Sequence, residues 1–279
     1  MKSKPAIASD YNPQQLDIVN SVCLYISTII GDYIDDLVIA GGLVPNLIIP
    51  QAPPPEGAEE HVGTQDLDLG FSLGVFDSSR YQEITARLRG AGFVPDVSEK
   101  QNPTLQRWKL EKLVDATVDF LIPQTSPEDV GGSIKHLEED FGAIITPGLE
   151  LAFQDRIKIT ISGKTPFGEQ ANRDIWVCGP GAYIILKALS FDKRGENKDA
   201  YDLFYVVRNF GSGYKEIIQH LLPLIENEHG EKAIAILKRD FSDPGLVGSV
   251  RVARFLYGHP DKETQIEVAG FINQVLKGI

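Results

Sequence analysis

Two aspartates that are separated by one residue, Asp66 and Asp68, have the type and spacing of side chains that bind metal ions. Alternate residues of a β-strand point to the same face, so a strand here places both carboxylates on one face and Leu67 and Leu69 on the other. Mg²⁺ takes oxygen ligands and is usually held by one or two protein carboxylates, while phosphate oxygens and water complete its shell. The pair therefore indicates chemistry on phosphate groups.

Further candidates lie on both sides of this pair. Upstream, an apolar segment at 37–40 predicts a buried strand that runs into Gly41 and Gly42, and glycine lets a backbone approach a phosphate closely. Downstream, Asp119 lies inside the apolar segment 118–122. A D-x-D is also common on exposed strands, but core strands seldom carry charge without a reason. We therefore expect the three acids and the glycine pair to converge on one site.

The elements that position these residues alternate between strands and helices, which favours an α/β sheet. An amphipathic helix is predicted from about residue 12 to residue 31, a short helix interrupted by Pro45 at 43–49, and an insertion or lid loop at the proline-rich segment 50–60. A helix at 79–89 follows. Residues 104–112 and 117–122 predict an antiparallel hairpin with Asp115 in its turn. Further strands are predicted at 143–146, 156–162 and 174–177.

After Pro180 the pattern becomes helical. The predicted helices are at about 181–192, 197–209, 214–226, 230–240, 247–256 and 262–276. The sequence thus predicts an α/β (α+β) protein with a mixed sheet in residues 1–178 and a helical bundle in residues 179–279.

Composition limits the classes of function. Of the 279 residues 42% are hydrophobic, the formal net charge is −12, and there are two cysteines. The charge argues against a surface covered by nucleic acid, which would need many Lys and Arg side chains. No apolar stretch is long enough to span a bilayer and no secretory signal is recognised, so we expect a cytoplasmic protein without a membrane partner. Cys23 and Cys178 are expected to be buried thiols.

The order of these motifs resembles the nucleotidyltransferase superfamily with a polymerase-beta-like palm. In that superfamily a strand ends at a G-G or G-S turn, a D-x-D follows on the next strand, and a third carboxylate lies on a later strand. The stretch from Lys187 to Leu203 resembles the K-x(6)-R-x(3)-K-D-x-x-D-L pattern of the AbiEii/AbiGii-type toxins. Two features depart from the common pattern: Leu43 follows the second glycine, and a long proline-rich segment separates Gly42 from Asp66.

The resemblance implies a role for each matching residue. Asp66 and Asp68 would hold the Mg²⁺ that bridges the triphosphate, and Asp119 would act as general base towards the attacking hydroxyl. The residues implied to contact the nucleotide and its phosphates are Gly41, Gly42, Thr64, Lys187, Arg194, Lys198 and Asp199.

Structural roles compete with some of these functions. Lys187 could instead be a solvated residue at the edge of an apolar helix, and Lys198 with Asp199 could simply begin a helix. Thr64, immediately before the D-x-D, could bind a phosphate or only start the strand. Arg107 could contact a phosphate or a base, whereas a tryptophan in a hairpin, here Trp108, is more often part of the core.

The resemblance implies an Mg²⁺-dependent enzyme that transfers a nucleotide from an NTP to a hydroxyl of RNA, such as tRNA, or of protein. It also implies a toxin-like protein with a cognate antitoxin as partner, and an active site in a cleft between the two domains. The competing hypothesis is an inactive nucleotide-binding or regulatory protein of the same fold.

Overall fold

The computed structural model describes residues 5–72, 78–112 and 116–279, and for Ser78 the backbone alone. The strands are β1 (Leu37–Ala40), β2 (Asp66–Phe71), β3 (Phe93–Val97), β4 (Pro103–Leu110), β5 (Thr117–Ile122), β6 (Ile134–Glu138), β7 (Phe141–Ile145), β8 (Arg156–Lys164) and β9 (Gln170–Cys178). The helices are α1 (Pro13–Ile30), α2 (Val44–Ile48), α3 (Ser78–Gly90), α4 (Leu151–Gln154), α5 (Pro180–Arg194), α6 (Asn197–Asn209), α7 (Tyr214–Leu221), α8 (Glu228–Phe241), α9 (Val247–Tyr257) and α10 (Lys262–Gly278). Turns of 3₁₀ helix lie at Ala8–Asp10, Gly31–Asp36 and Gly41–Leu43.

The described residues group into two compact units. The sheet unit consists of Pro13–Leu43 and Gly63–Cys178. The helical unit consists of residues 5–12, Val44–Val62 and Gly179–Ile279, so a segment from the middle of the sequence belongs with the C-terminal helices.

Within the described residues, the strands of the sheet unit form one mixed sheet in the order β3-β4-β5-β2-β1-β9-β8, and β7 pairs with β5 and β6. The central strand β2 is antiparallel to β1 and parallel to β5. Strand β1 in turn runs parallel to β9. The predicted α/β class, with a mixed sheet and a helical C-terminal region, is confirmed.

An aromatic cluster forms the core of the sheet unit. The ring of Phe120 on β5 stacks on Phe71 of β2 with centroids 5.5 Å apart, and it contacts Phe141 at 4.9 Å. Trp108 on β4 packs edge to face against both Phe120 and Phe141. These rings are fully buried, which confirms that Trp108 is a core residue. Because strand side chains alternate, the intervening acids point to the other face.

The helical unit is organised around α5 and α6. Helix α5 packs on α6, α7 and α8, while α6 contacts α9, α10 and α2. The last residue of α5 is followed by Gly195 in the left-handed conformation, with φ of 63°, which ends the helix and lets the chain turn directly into α6.

Most predicted elements are found close to their predicted positions. Pro45 does not interrupt its helix, because it lies in the first turn of α2, where its missing N–H has no intrahelical partner to lose. Helix α7 ends at Leu221 rather than residue 226, since Pro223 cannot continue the hydrogen-bond pattern. Strands β3 and β6 were not predicted. The turn predicted around Asp115 lies outside the described residues.

Among the described residues, none of the helices combines the length and the apolar character needed to cross a bilayer.

Replacing Phe120 by alanine should lower the free energy of unfolding by about 3 to 5 kcal/mol, because it removes a ring that is fully buried among three others. Urea titration followed by tryptophan fluorescence measures this change. The matched control is Val130→Ala at a residue that is 69% exposed, which should change the stability by less than about 0.5 kcal/mol. Equal effects of the two substitutions would contradict the assignment of the core.

Candidate active site

The strand register places the three predicted acids on neighbouring strands of the sheet unit. Asp68 on β2 pairs with Asp119 on β5, and Asp119 pairs in turn with Arg107 on β4. Residues that are paired across strands share a face, so Asp68, Asp119 and Arg107 form a row across three strands. Asp66 lies two residues before Asp68 on the same face. We call these four side chains the acidic row.

The glycine turn after β1 lies directly against the acidic row. Gly41 adopts a φ of 67°, in the left-handed region that side chains disfavour. A Cβ atom at this position would overlap the carboxylate of Asp68. Gly41 therefore allows both the turn and the close approach of the Asp68 carboxylate to the backbone. Gly42 is buried in the same 3₁₀ turn.

Thr64 fixes the carboxylate of Asp66. Its hydroxyl lies 3.0 Å from Asp66 Oδ1 and 3.2 Å from the backbone oxygen of Asp66, and it donates to them. Both residues are buried. The hydroxyl of Thr64 thus serves the orientation of an acid in the row, and its predicted contact with a phosphate stays a prediction.

Arg107 supplies the positive charge within the acidic row. Its Nε donates to Asp119 Oδ1 at 2.7 Å and its Nη2 donates to Asp119 Oδ2 at 2.5 Å. The same Nη2 lies 3.8 Å from Asp66 Oδ2. The hydrogen bonds to Asp119 raise the pKa of Arg107 above its ordinary value. Arg107 therefore holds Asp119 in a two-pronged ion pair, so the general-base role of Asp119 stays a prediction.

The donors of the acidic row suit Mg²⁺ in type. Carboxylate oxygens are the hard ligands that this ion prefers, and one or two of them are enough when substrate phosphates supply the rest. Within residues 5–72, 78–112 and 116–279, no group of three or more His, Cys, Asp or Glu side chains is arranged to hold a metal ion. Asp66 and Asp68 on β2 therefore stay the predicted metal ligands, and two carboxylates would be enough if a nucleotide supplied the other oxygens.

The basic residues of the predicted motif lie in the helical unit, around two buried aspartates. Lys187 on α5 donates to Asp202 at 2.7 Å and to Asp199 at 3.1 Å, both on α6. Because Lys187 is buried, the alternative that it is a solvated residue is wrong. Its ammonium group is directed at acids of its own unit, so binding of phosphate by Lys187 stays a prediction.

Arg194 and Lys198 complete this network. Arg194 makes a two-pronged contact with Asp199, at 2.6 and 2.7 Å, and Lys198 donates to Asp202 at 2.6 Å. The side chain of Arg194 is 52% exposed, whereas that of Lys198 is 16% exposed. Of Lys187, Arg194 and Lys198, Arg194 is accordingly the most accessible to an external anion.

Sequence reasoning missed His61. Its Nε2 lies 2.9 Å from Asp202 Oδ1 and its Nδ1 lies 2.8 Å from Asn46 Oδ1, so it joins the segment 44–62 to α6. The ring stacks on Tyr201 at a centroid distance of 5.2 Å. The signal in the sequence was weak, because a single histidine beside a proline-rich segment has no periodic partner. We call His61, Lys187, Arg194, Lys198, Asp199 and Asp202 the buried charge network.

In the buried charge network, burial and the neighbouring charges shift the pKa values of the ionic side chains in opposite directions. Burial acts to raise the pKa of Asp202, but Lys187 and Lys198 hold it well below its ordinary value. Burial acts to lower the pKa of Lys187, but Asp202 and Asp199 outweigh that effect and raise it. The two ions therefore stay charged at neutral pH. Their pairing compensates the cost of removing them from water.

The imidazole of His61 stays neutral instead. Burial lowers the pKa of His61 to about 4, although the hydrogen bond to Asp202 opposes the shift. Both ring nitrogens face oxygen atoms, so a protonated ring could donate to both. Protonation would, however, bring a third positive charge to an aspartate that already contacts Lys187 and Lys198. The neutral ring donates from Nε2 to Asp202, which leaves Nδ1 as an acceptor and requires the amide of Asn46 to turn its Nδ2 group towards it.

Comparisons with known proteins identify a likeness to a solved structure. No protein-family model matches the chain, and no curated protein matches its sequence. The chain resembles a solved structure described as an antigenic nucleotidyltransferase-like protein from Paracoccidioides brasiliensis, with 14% sequence identity, coverage of 80% of this chain and 93% of that chain, and a TM-score of 0.35. A TM-score of 0.35 is too low for this likeness to carry weight for the fold or the site.

Replacing Gly41 by alanine should destabilise the protein more than the same change at Gly168, and a urea titration of each variant compares them. Both glycines have positive φ, so both variants should lose about 1 to 2 kcal/mol from backbone strain. A Cβ at Gly168 would meet open space, whereas at Gly41 it would overlap Asp68, which should cost roughly 1 to 3 kcal/mol more. Equal losses would show that the turn does not press against Asp68.

Lowering the pH from about 6.5 to about 4 should lower the stability of the protein through His61. The unfolded chain binds a proton to this ring more readily than the folded protein does, so the free energy of unfolding falls with pH in this window, by about 3 kcal/mol in all. Urea titrations at several pH values measure the slope. The variant His61→Gln should show a shallower slope, and parallel slopes would contradict a neutral, buried His61.

Proposed function

We propose that the protein is an Mg²⁺-dependent nucleotidyltransferase that transfers a nucleotide from an NTP to a hydroxyl group of RNA or protein. The observation that carries this proposal is the register of β2 with β5, which brings Asp68 opposite Asp119, together with the glycine turn packed on Asp68. Acids on adjacent strands beside a glycine turn suit a triphosphate, because the acids recruit a cation and the turn admits the phosphates.

The reaction requires an in-line displacement at the α-phosphorus. The hydroxyl oxygen of the acceptor forms a bond to the α-phosphorus, the bond between the α- and β-phosphates breaks, and pyrophosphate leaves. Asp119 accepts a hydrogen bond from the attacking hydroxyl and, as general base, takes its proton when the bond to phosphorus forms. Each carboxylate oxygen has two lone pairs, so Asp119 can do this while it remains paired with Arg107.

The other residues of the acidic row prepare the site. Asp66 and Asp68 would hold Mg²⁺, which when bound neutralises charge on the phosphates and aligns the reacting groups. Thr64 keeps Asp66 oriented through its hydroxyl. Gly41 and Gly42 would line the triphosphate with backbone, because glycine has no side chain that would keep the phosphates away.

The motif at 187–203 supports a more specific proposal about the type of nucleotidyltransferase. The spacing from Lys187 to Leu203 matches the AbiEii/AbiGii-type toxins, so we propose a toxin-like enzyme, cytoplasmic and paired with an antitoxin, whose acceptor is a tRNA-like RNA or a protein hydroxyl. Of the basic residues in that motif, we assign phosphate contact first to the half-exposed Arg194, and the proposed contacts of Lys187, Lys198 and Asp199 would compete with the ion pairs that these residues already make.

A second candidate function is favoured by the ion pair of Arg107 with Asp119. A carboxylate engaged at both oxygens suits a protein that binds a nucleotide without transferring it, as an inactive or regulatory relative would. Calorimetry with each NTP, with and without Mg²⁺, separates the candidates. Binding that does not depend on Mg²⁺ favours the regulatory protein, and Mg²⁺-dependent binding favours the enzyme.

The double substitution Asp66→Asn and Asp68→Asn should reduce transfer on the order of 10²-fold or more, because amides keep the shape of the acids but not the charge that recruits the cation. The assay incubates the protein with each labelled NTP, Mg²⁺ and a total tRNA and protein extract, and it detects labelled acceptors. The control is Asp32→Asn, an exposed acid paired with Arg87. Full labelling by the double variant would refute the proposal.

A further inference from the structure

The position of Arg107 bears on the number of cations that the acidic row can take. Its guanidinium group engages both oxygens of Asp119, and its Nη2 lies 3.8 Å from Asp66. The side chain of Arg107 is only 17% exposed, and those of Asp119 and Asp66 are 6% and 9% exposed. A positive charge therefore already lies between two acids on different strands, in a place with little access to water.

Enzymes that use two metal ions for displacement at phosphorus hold them roughly 3.5 to 4 Å apart, so that one ion assists the attacking oxygen and the other the leaving oxygen. In the acidic row, an ion that assists the attacking oxygen would have to use Asp119. Both oxygens of Asp119 accept hydrogen bonds from Arg107. A divalent ion on the remaining lone pairs would share these two oxygens with the guanidinium group, and the two like charges would repel each other across a few ångströms in a poorly hydrated place.

We propose that this site takes a single divalent cation, held by Asp66 and Asp68, and that Arg107 occupies the place of a second one beside Asp119. The inference rests on the proposed function and specifies its metal requirement. Arg107 is a positioning residue in this scheme: it holds the Asp119 carboxylate in place and supplies the positive charge next to the attacking hydroxyl.

The charge balance agrees with one cation. The three carboxylates and the one guanidinium of the acidic row carry two negative charges in sum, which one divalent ion neutralises. The planar fork of arginine matches both oxygens of a carboxylate, which makes it a more persistent partner than lysine. Removing one member of a buried pair leaves the other charge uncompensated. The pair with Asp119 should therefore persist when the nucleotide binds.

Counting bound Mn²⁺ tests the proposal without an activity assay. The full-length protein is titrated with Mn²⁺, alone and with the α,β-methylene analogue of each of the four ribonucleoside triphosphates. Free Mn²⁺ is read from its electron paramagnetic resonance signal, with the analogue alone as blank. We expect one Mn²⁺ per wild-type chain and one for Arg107→Lys, which keeps the charge. Arg107→Gln should bind two, the second with an affinity at least tenfold above any residual second binding to the wild-type chain.

The double variant Arg107→Gln with Asp119→Asn serves as the matched control, and it should return to one Mn²⁺ because it lacks the acid that would hold the second. Two Mn²⁺ ions in the wild-type chain overturn the inference, whether or not the variants fold, and leave the proposed function standing. One ion in a folded Arg107→Gln variant also overturns it. No Mn²⁺ in the wild-type chain overturns both the inference and the metal dependence of the proposed function.

Discussion

Negative charge on the middle strands of a sheet has to be compensated, and this constraint organises the acidic row. The parallel pairing of β2 with β5 brings Asp68 opposite Asp119, and Asp119 and the neighbouring Asp66 are buried. Buried carboxylates without a partner would be costly. The protein meets this demand with Arg107 on the next strand and with the hydroxyl of Thr64, and the remaining negative charge is what makes the row a candidate site for a cation.

The helical unit also contains buried aspartates, and it compensates their charge in a similar way. Helix α6 contributes Asp199 and Asp202, and both are almost completely buried. Three cations and one neutral histidine surround them, and they come from α5, α6 and the segment before β2. Such a network contributes little net stability compared with a well-packed apolar core, but it penalises any arrangement that separates the ions. It thus specifies how α5, α6 and His61 fit together.

Much of the architecture could be predicted from local patterns. The helices after Pro180 have apolar residues at helical spacing and glycine, proline or aspartate at their ends, and such signals are local. Strands β3 and β6, which the sequence did not predict, lack such local signals. Phe93–Val97 contains a proline, and Ile134–Glu138 has no clear alternation of apolar and polar residues. These segments become strands because β4 and β7 offer them hydrogen-bond partners, and the choice of partner is not encoded locally.

The sequence by itself determined which residue types were present for the chemistry: a D-x-D in a strand, a glycine pair after a strand, and a third acid inside an apolar segment. It also determined that the C-terminal region is helical. Only the tertiary structure decided the partners of these side chains. Arg107 reaches Asp119 through strand register, and His61 reaches Asp202 across 141 positions of the chain. Charge pairing depends on distances of a few ångströms between distant residues, and a one-dimensional pattern does not contain those distances.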